Sequence, residues 1–509
     1  GVGAGIAAEI EALLATGTLP LRDDLLGALP PGLLDALRIK GLGARRVRTL
    51  WQQLGITTLD ELEAAAATDR LAELDGFGAK TQASILDNLR HFRAYQQQRR
   101  YADALTLTAP LLDRIRALDV IQRAERTGPL RRCLETVAAA DVIAAADDAP
   151  AARDALSEIL DDGHWRDDGA HFEGALPDGL PLHVHLVAPE HFGTAWWRTT
   201  GSDAHRAAFE ARHGAPGAHA DEAALFEAAG LADIPPELRE GTGEIEAAEA
   251  GALPQLLTLD DLRGSLHNHS TYSDGRHTLR EMAEATRQRG LHYLGICDHS
   301  QSLKIANGMS VETVRRQQNE IRALNDGFAT DGGPPFRIFS GVESDILADG
   351  ALDYDEDVLA SFDFVVASIH TRFGMTEAEA TARVVRAVEN PFTTILGHPT
   401  GRLLLAREGY PLDHEAVLDA CAEHGVAVEV NANPYRLDLD WRWVRAATER
   451  GVMIAINPDA HSIEQLAYDR WGVAAARKGW LTAAQCLNAL PLDAFAHRLD
   501  ARRAARVGT

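Results

Sequence analysis

Lysine is almost missing from this chain of 509 residues: Lys40, Lys80, Lys304 and Lys478 are its only four, so arginine supplies nearly all of the 50 basic side chains. The guanidinium fork suits phosphate, but a GC-rich codon bias produces the same skew and is the simpler cause. Positive charge is scarce overall. A formal net charge of −25 excludes a uniformly basic coat, although local patches and backbone amides can still hold a polyanion. Cysteine is rare too, and Cys133, Cys297, Cys421 and Cys486 form neither a CxxC pair nor a disulfide framework, which fits a reducing cytoplasm. No apolar run reaches the roughly 18 residues of a membrane span, so no membrane role is expected. The chain starts at Gly1 rather than Met, inside a motif, which points to a missing N-terminal segment rather than a cleaved signal peptide. With 46% hydrophobic residues there is core enough for about two to four domains.

What is present in quantity is histidine at the ends of short apolar runs. Seven segments in the last half end on an acid, an imidazole or an amide: 266–269 with Asp274 behind it, 296–299, 341–343, 367–370, 396–398, 429–431 and 457–461. The candidate ligands are His267, His269, Asp274, His299, Glu343, His370, His398, Asp459 and His461. Imidazole and carboxylate together suit borderline divalent ions, Zn²⁺, Mn²⁺ or Fe²⁺, and a carboxylate such as Glu343 can bridge two of them. Each run is too short for a helix, while Ala-rich helical stretches such as 376–389 and 414–424 fill the intervals. The alternation predicts a (β/α) barrel of seven strands with its chemistry at their carboxyl ends. A surface or core role would serve any single histidine equally well; the set as a whole it does not explain. His277, His292, His414, His424 and His497 lack the strand-end context and read as structural or solvent-facing.

In the first half, Gly1-Val2-Gly3, Gly41-Leu42-Gly43 and Gly76-Phe77-Gly78 recur at spacings of 40 and 35, each before an Ala-containing helix. Such a turn between two helices lets backbone N–H groups approach phosphate, the helix-hairpin-helix way of holding DNA without reading bases. Arg131 and Arg132, after Gly128-Pro129, are a second candidate phosphate cradle, with a plain surface role equally compatible. Pro, Gly and acid punctuate residues 235–262, where a linker is expected.

The order of parts resembles a bacterial family X DNA polymerase with a C-terminal PHP (polymerase and histidinol phosphatase) domain. The likeness runs over nearly the whole chain and is densest in 234–244, 263–270, Gly397–Arg402 and Tyr435–Leu439. It implies a multidomain fold: a helical helix-hairpin-helix region over 1–95, an α+β nucleotidyltransferase-like palm and thumb-like region over 96–240, a linker over 241–262, and a distorted seven-stranded α/β barrel over 263–509. It also implies three metals, held by His267, His269, Glu343 and Asp459, by Glu343, His370 and His398, and by Asp274, His299 and His461. The palm departs from the family. Gly128-Pro129 replaces Gly-Ser, Ala139 and His183 stand where two of three catalytic aspartates belong, and Asp141 alone survives. Arg198 and Thr199 replace an aromatic pair, and Gly5 and Glu9 stand where a lyase lysine would.

The expectation is therefore a cytoplasmic, monomeric DNA-repair protein that binds gapped or 3′-ended DNA and no membrane. Its barrel, with two or three Mn²⁺ or Zn²⁺ ions, acts as a 3′-5′ exonuclease or 3′-end phosphoesterase, and Arg402 and Arg436 clamp the phosphate. The alternatives are a Mn²⁺-dependent gap-filling polymerase working through Asp141, a non-catalytic DNA-end-binding platform, and a small-molecule phosphatase.

Overall fold

The computed structural model describes residues 3–160 and 163–507. These fall into two compact units, Gly1–Gln98 and Arg99–Thr509. In the first, helices Gly32–Leu37, Ala44–Leu54, Leu59–Ala67 and Gly78–Gln96 bury Leu33, Leu50, Leu62, Ile85 and Leu89 in one core. The second and third Gly-hydrophobic-Gly turns are fastened by their middle residues: Leu42 and Phe77 are 2% and 1% exposed, so each of these turns is pinned while its flanking backbone stays outside. Gly41 and Gly76 hold φ at +92° and +82°, which glycine adopts without steric cost. Arg46 ties the two turns, donating to Gly41 O at 2.8 Å and Gly76 O at 3.4 Å. Gly3 precedes helix Ala4–Thr16, which leaves Ile6, Ile10 and Leu14 exposed; Gly1 lies outside the described residues.

The second unit opens with β1 (Arg99–Arg100) paired with β3 (Thr136–Val137). A mixed sheet follows, built from β2 (Arg123–Arg126), β4 (Ala140–Ala145), β5 (Gly163–Trp165), β6 (His171–Ala175) and β7 (Pro181–Val187) in the order β2-β4-β7-β6-β5. Only β4 and β7 run parallel. The period of two along β7 sends Leu182, Val184 and Leu186 into the core and leaves His183 and His185 on the other face.

The remainder is the barrel: β8 (Gly264–Ser265), β9 (Tyr293–Ile296), β10 (Arg337–Asp345), β11 (Phe364–Ser368), β12 (Ile395–Leu396), β13 (Ala427–Asn431) and β14 (Ile454–Asn457), all parallel and in sequential order. The helices expected over 376–389 and 414–424 are Glu377–Glu389, opened by a Thr376/Glu379 capping box, and His414–His424. The two edge strands meet just beyond their ends, where His269 N donates to Ala460 O at 2.8 Å. Phe364 packs with Leu266, Val366, Ile395, Ala427 and Ala455, residues drawn from strands all round the barrel. Gly295 and Gly341 make room for it, since a Cβ at either would come within 2.6 or 2.5 Å of its Cζ.

Residues 241–262 are not the free linker their composition suggests. Glu244 is fully buried, 2.7 Å from His205 Nδ1 and accepting from Gly241 N, and Leu257 is buried with its N donating to Leu481 O. An acid within the expected linker is thus a buried partner. The barrel's Lys478 likewise donates to Arg132 O at 2.8 Å and Glu240 Oε1 at 2.5 Å. Such contacts fuse mixed sheet and barrel into one unit.

Candidate metal centre

Parallel strands deliver the residues that follow them to one end of the barrel, and all nine candidate ligands are gathered there. Glu343 is the hub. Its Oε1 lies 3.0 Å from His398 Nε2, 3.1 Å from His370 Nε2 and 3.3 Å from His267 Nε2; its Oε2 lies 2.8 Å from His299 Nδ1. His269 Nε2 is 3.1 Å from Asp459 Oδ1, and Asp274 Oδ1 is 3.4 Å from His461 Nε2 and 3.6 Å from His299 Nε2. Donor atoms converge in three overlapping groups: His269, Asp274, His299 and His461; His267, His269 and Asp459; and His299, Glu343 and His370. The grouping differs from the expected one: His269 is shared, His299 joins Glu343 to Asp274, Glu343 is not in the group of His267 and Asp459, and His398 is in none of the three although its Nε2 lies 3.0 Å from Glu343 Oε1.

The donor set fits divalent ions. His267 Nε2, His269 Nδ1, His299 Nδ1, His398 Nδ1 and Glu343 Oε2 are buried and make no hydrogen bond, and leaving such atoms unsatisfied costs about 1–3 kcal/mol each. His267, His398 and Asp459 also hold positive φ, +57°, +22° and +51°, strain of about 1–3 kcal/mol each of the kind that functional sites store.

Burial opposes charge throughout the cluster, but the opposite charges prevail for most members. Glu343, Asp345 and their hydrogen bonds lift His370 to about 9, and Asp274 and Asp459 lift His461 to about 9. The surrounding imidazoles hold Glu343 and Asp459 well below the carboxylate range. His269, buried among His461 and His299, is pushed down to about 3.

The sequence reading assigned no role to several supporting residues. Glu429 lies 2.7 Å from His267 Nδ1 and accepts from His398 N, Asn431 Nδ2 and Asn457 Nδ2. Asp345 bonds His370 Nδ1. Buried Asp298 accepts from Ser270, Ser273 and Gln317, fixing the loop between His269 and Asp274. Each closes a strand-end segment or sits beside a candidate ligand, which was the signal available.

Other candidates fare unevenly. Arg436 stands at the mouth, its Nε 3.7 Å from Asp459 Oδ2. Arg402 does not serve as a free clamp: it donates to Arg436 O, Asp440 Oδ2 and Leu437 O and so holds that loop in shape. Arg131 and Arg132 are likewise engaged. Arg131 is bidentate to Glu222 at 2.8 and 2.7 Å and lies over Trp196; Arg132 bonds Glu240 and Thr200 O. Arg131 is tied down by these contacts, whereas Arg132 keeps a place in the wall of the mixed-sheet cleft.

In the mixed sheet, Asp141 pairs across strands with His183, their Oδ1 and Nδ1 2.8 Å apart. A cleft of about 520 Å³ opens there, lined by Asp141, His171, His185, Arg198 and Arg206. Among the described residues no converging group of three ligands includes Asp141.

In chain order, a helical-hairpin unit, then a mixed sheet and then a barrel that collects imidazoles and carboxylates at one mouth define a multidomain protein with a PHP-type cluster of candidate metal ligands. Family models agree: residues 33–91 match a SAM-like helix-hairpin-helix tandem and residues 265–433 a PHP domain. The DNA polymerase/3′-5′ exonuclease PolX of Bacillus subtilis is 35% identical over 98% of this chain and 90% of its own length. A "probable phosphatase" of Syntrophotalea carbinolica is 29% identical over 33% of this chain and 65% of its own. This chain belongs to the PolX family of DNA polymerase/3′-5′ exonucleases.

Proposed function

We propose that the chain is a DNA-repair protein whose barrel is a metal-dependent 3′-5′ exonuclease and 3′-end phosphoesterase. The observation that carries this reading is the gathering at one mouth of nine donor residues, Glu343 among them as the hub, several of them buried and unsatisfied. In this reading His269, Asp274, His299 and His461 hold one ion, His267, His269 and Asp459 another, and Glu343 with His370 and His398 a third, with Mn²⁺ or Zn²⁺ suiting the mixed ligands. Bound there, the ions supply charge neutralisation at the phosphoryl group and a low pKa for the attacking water.

The protein's own groups do the rest. Glu429 and Asp345 orient the rings of His267 and His370 through Nδ1, leaving Nε2 for the site. Arg436 binds a non-bridging phosphate oxygen. The turns at Gly41 and Gly76 hold the DNA backbone, which favours DNA over a small phosphoester. A binding platform without catalysis would have no use for the costly buried donors. Four unpaired cysteines agree with a reducing cytoplasm, where we place the protein as a monomer; among the described residues no helix is long and apolar enough to cross a membrane.

The test is a labelled primer-template incubated in Mn²⁺ with and without nucleotides. Stepwise shortening in both is expected; an unchanged primer in both would overturn the reading.

A further inference from the structure

At the end of the barrel opposite the metal centre lies a second concavity, of about 420 Å³. Arg337 opens β10 and lines it, while Glu343 stands six residues along the same strand; at about 3.3 Å per residue Arg337 is roughly 20 Å from Glu343, and Ser340, further along the strand, roughly 10 Å. Arg322, from helix Val311–Thr330, and Arg503, from the C-terminal helix Leu492–Val507, also line it, so three arginines contribute to its wall. Asp363 is the one acid in that wall, and it is spoken for: Oδ2 accepts from Ser340 N at 2.8 Å and Oδ1 from Arg503 at 2.9 Å. Arg337 and Arg322 make no ion pair among the described residues; Arg337 rests on the Phe339 ring and Arg322 bonds Asn319.

A second observation points to a ligand. Ser340 is only 7% exposed, lines this cavity, and its Oγ has no hydrogen-bond partner. A buried hydroxyl that finds no acceptor in the protein costs free energy unless something else supplies one. A cavity of this size suits a small molecule, and a wall that holds two guanidinium groups without an ion pair and an idle hydroxyl offers the donor types for a phosphate-bearing anion.

We propose that this cavity is a binding site for a small phosphorylated anion of the pyrophosphate or nucleoside polyphosphate class, separate from the metal centre. Arg337 and Arg322 bind the phosphate oxygens, Ser340 Oγ–H donates to one of them, and Arg503, braced by Asp363, closes the rim. No chemistry is assigned to the site; its distance from Glu343 makes it a ligand site in its own right, independent of the barrel's proposed activity.

Titration calorimetry of the full chain with inorganic pyrophosphate tests this, using His370→Ala protein as well so that binding at the metal centre is told apart. Saturable binding is expected in both, with affinity down roughly tenfold in Arg337→Gln, about 1.4 kcal/mol, and reduced also in Ser340→Ala. Arg337 is exposed, so its variant should fold; circular dichroism checks both variants. Binding lost in His370→Ala, or unchanged in both cavity variants, would place the anion elsewhere and overturn the proposal. A short single-stranded oligonucleotide is the last arm: if Arg337→Gln weakens the oligonucleotide while pyrophosphate fails to bind at all, the cavity serves DNA and the proposal falls.

Discussion

His299 Nδ1 and Glu343 Oε2 lie 2.8 Å apart and share no hydrogen bond, because the ring is not aligned to give or take a proton along that line. Two buried polar atoms so placed are poor partners for each other and good partners for a cation between their neighbours. Glu343→Gln should therefore remove more metal than loss of any single imidazole, since five rings face that one carboxylate. Metal analysis of the purified variants decides it; a Glu343→Gln protein as fully metallated as the wild type would refute the hub role.

Glu429→Gln should lower metal affinity about 10–100-fold while the protein stays folded. The carboxylate orders His267, His398 N, Asn431 and Asn457 together, and a glutamine cannot accept from all four. Competition with a chromophoric chelator measures the change. An unaltered affinity would show that the histidine rings are held by packing alone.

His370→Ala or Asp459→Ala should abolish nuclease activity and leave DNA binding nearly intact, since neither residue belongs to the helical unit. Digestion of a labelled 3′ end, run beside a gel-shift titration, separates the two effects. Equal loss of both would end that division of labour.

Metal binding should release protons, more of them at pH 7 than at pH 10. Burial works against charge on His370 and His461, yet their acidic partners lift both to about 9. A raised pKa means that both rings carry protons in the metal-free protein at neutral pH. Their contribution to metal-free stability is complete below about 6.5 and is lost as pH rises through about 9. Metal competes with those protons, so affinity should climb over the same window. Calorimetry in two buffers of different ionisation enthalpy counts the protons; a flat profile from pH 6 to 9 would contradict the assignment.

The barrel was the most legible part of the sequence, because its information is local. A short apolar run such as Phe364–Ala367 followed by His370 declares both a strand and its functional end. Glu429 was visible as a strand-end acid, but its role behind His267 depends on contact across 162 residues. The hairpin glycines were legible through their repeat, whereas what pins their turns, Leu42 and Phe77 reaching the core, is tertiary. Adjacent arginines misled: Arg131 and Arg132 read as a phosphate cradle, and only the fold brings Glu222 and Glu240 to them. The same holds for 241–262, which reads as a linker until His205 is placed beside Glu244.

Gly43→Val should weaken DNA binding without unfolding the helical unit. Gly43 has an ordinary φ of −77°, and a Cβ there meets nothing within 4 Å, so the substitution adds bulk only on the open side. Gly41→Val is the harsher change, since its φ of +92° strains any branched residue. Fluorescence anisotropy with duplex DNA should show lower affinity for Gly43→Val at an unchanged melting temperature, and wild-type binding should itself fall with salt. Unchanged affinity would make the turn purely structural.

Templated synthesis should be absent or very weak. Two-metal nucleotidyl transfer needs several carboxylates on one face, and here Asp141 is paired with His183 instead of with a second acid. Position 139 is alanine, and Gly128, at φ +65°, sits so close that a Cβ there would be 2.5 Å from Asp141 Oδ2. Arg132 is also withdrawn into contact with Glu240 and Thr200 O. Any residual extension should appear with Mn²⁺ rather than Mg²⁺, because imidazole suits the softer ion. Primer extension is best measured in a His370→Ala background, where exonuclease cannot mask synthesis. Robust Mg²⁺-dependent extension there would refute the claim. Ala139→Asp with His183→Asp should raise extension if the missing carboxylates are the cause, because His183→Asp both frees Asp141 and supplies its partner. No gain would locate the defect in the Gly128-Pro129 turn and the tethered Arg132 instead.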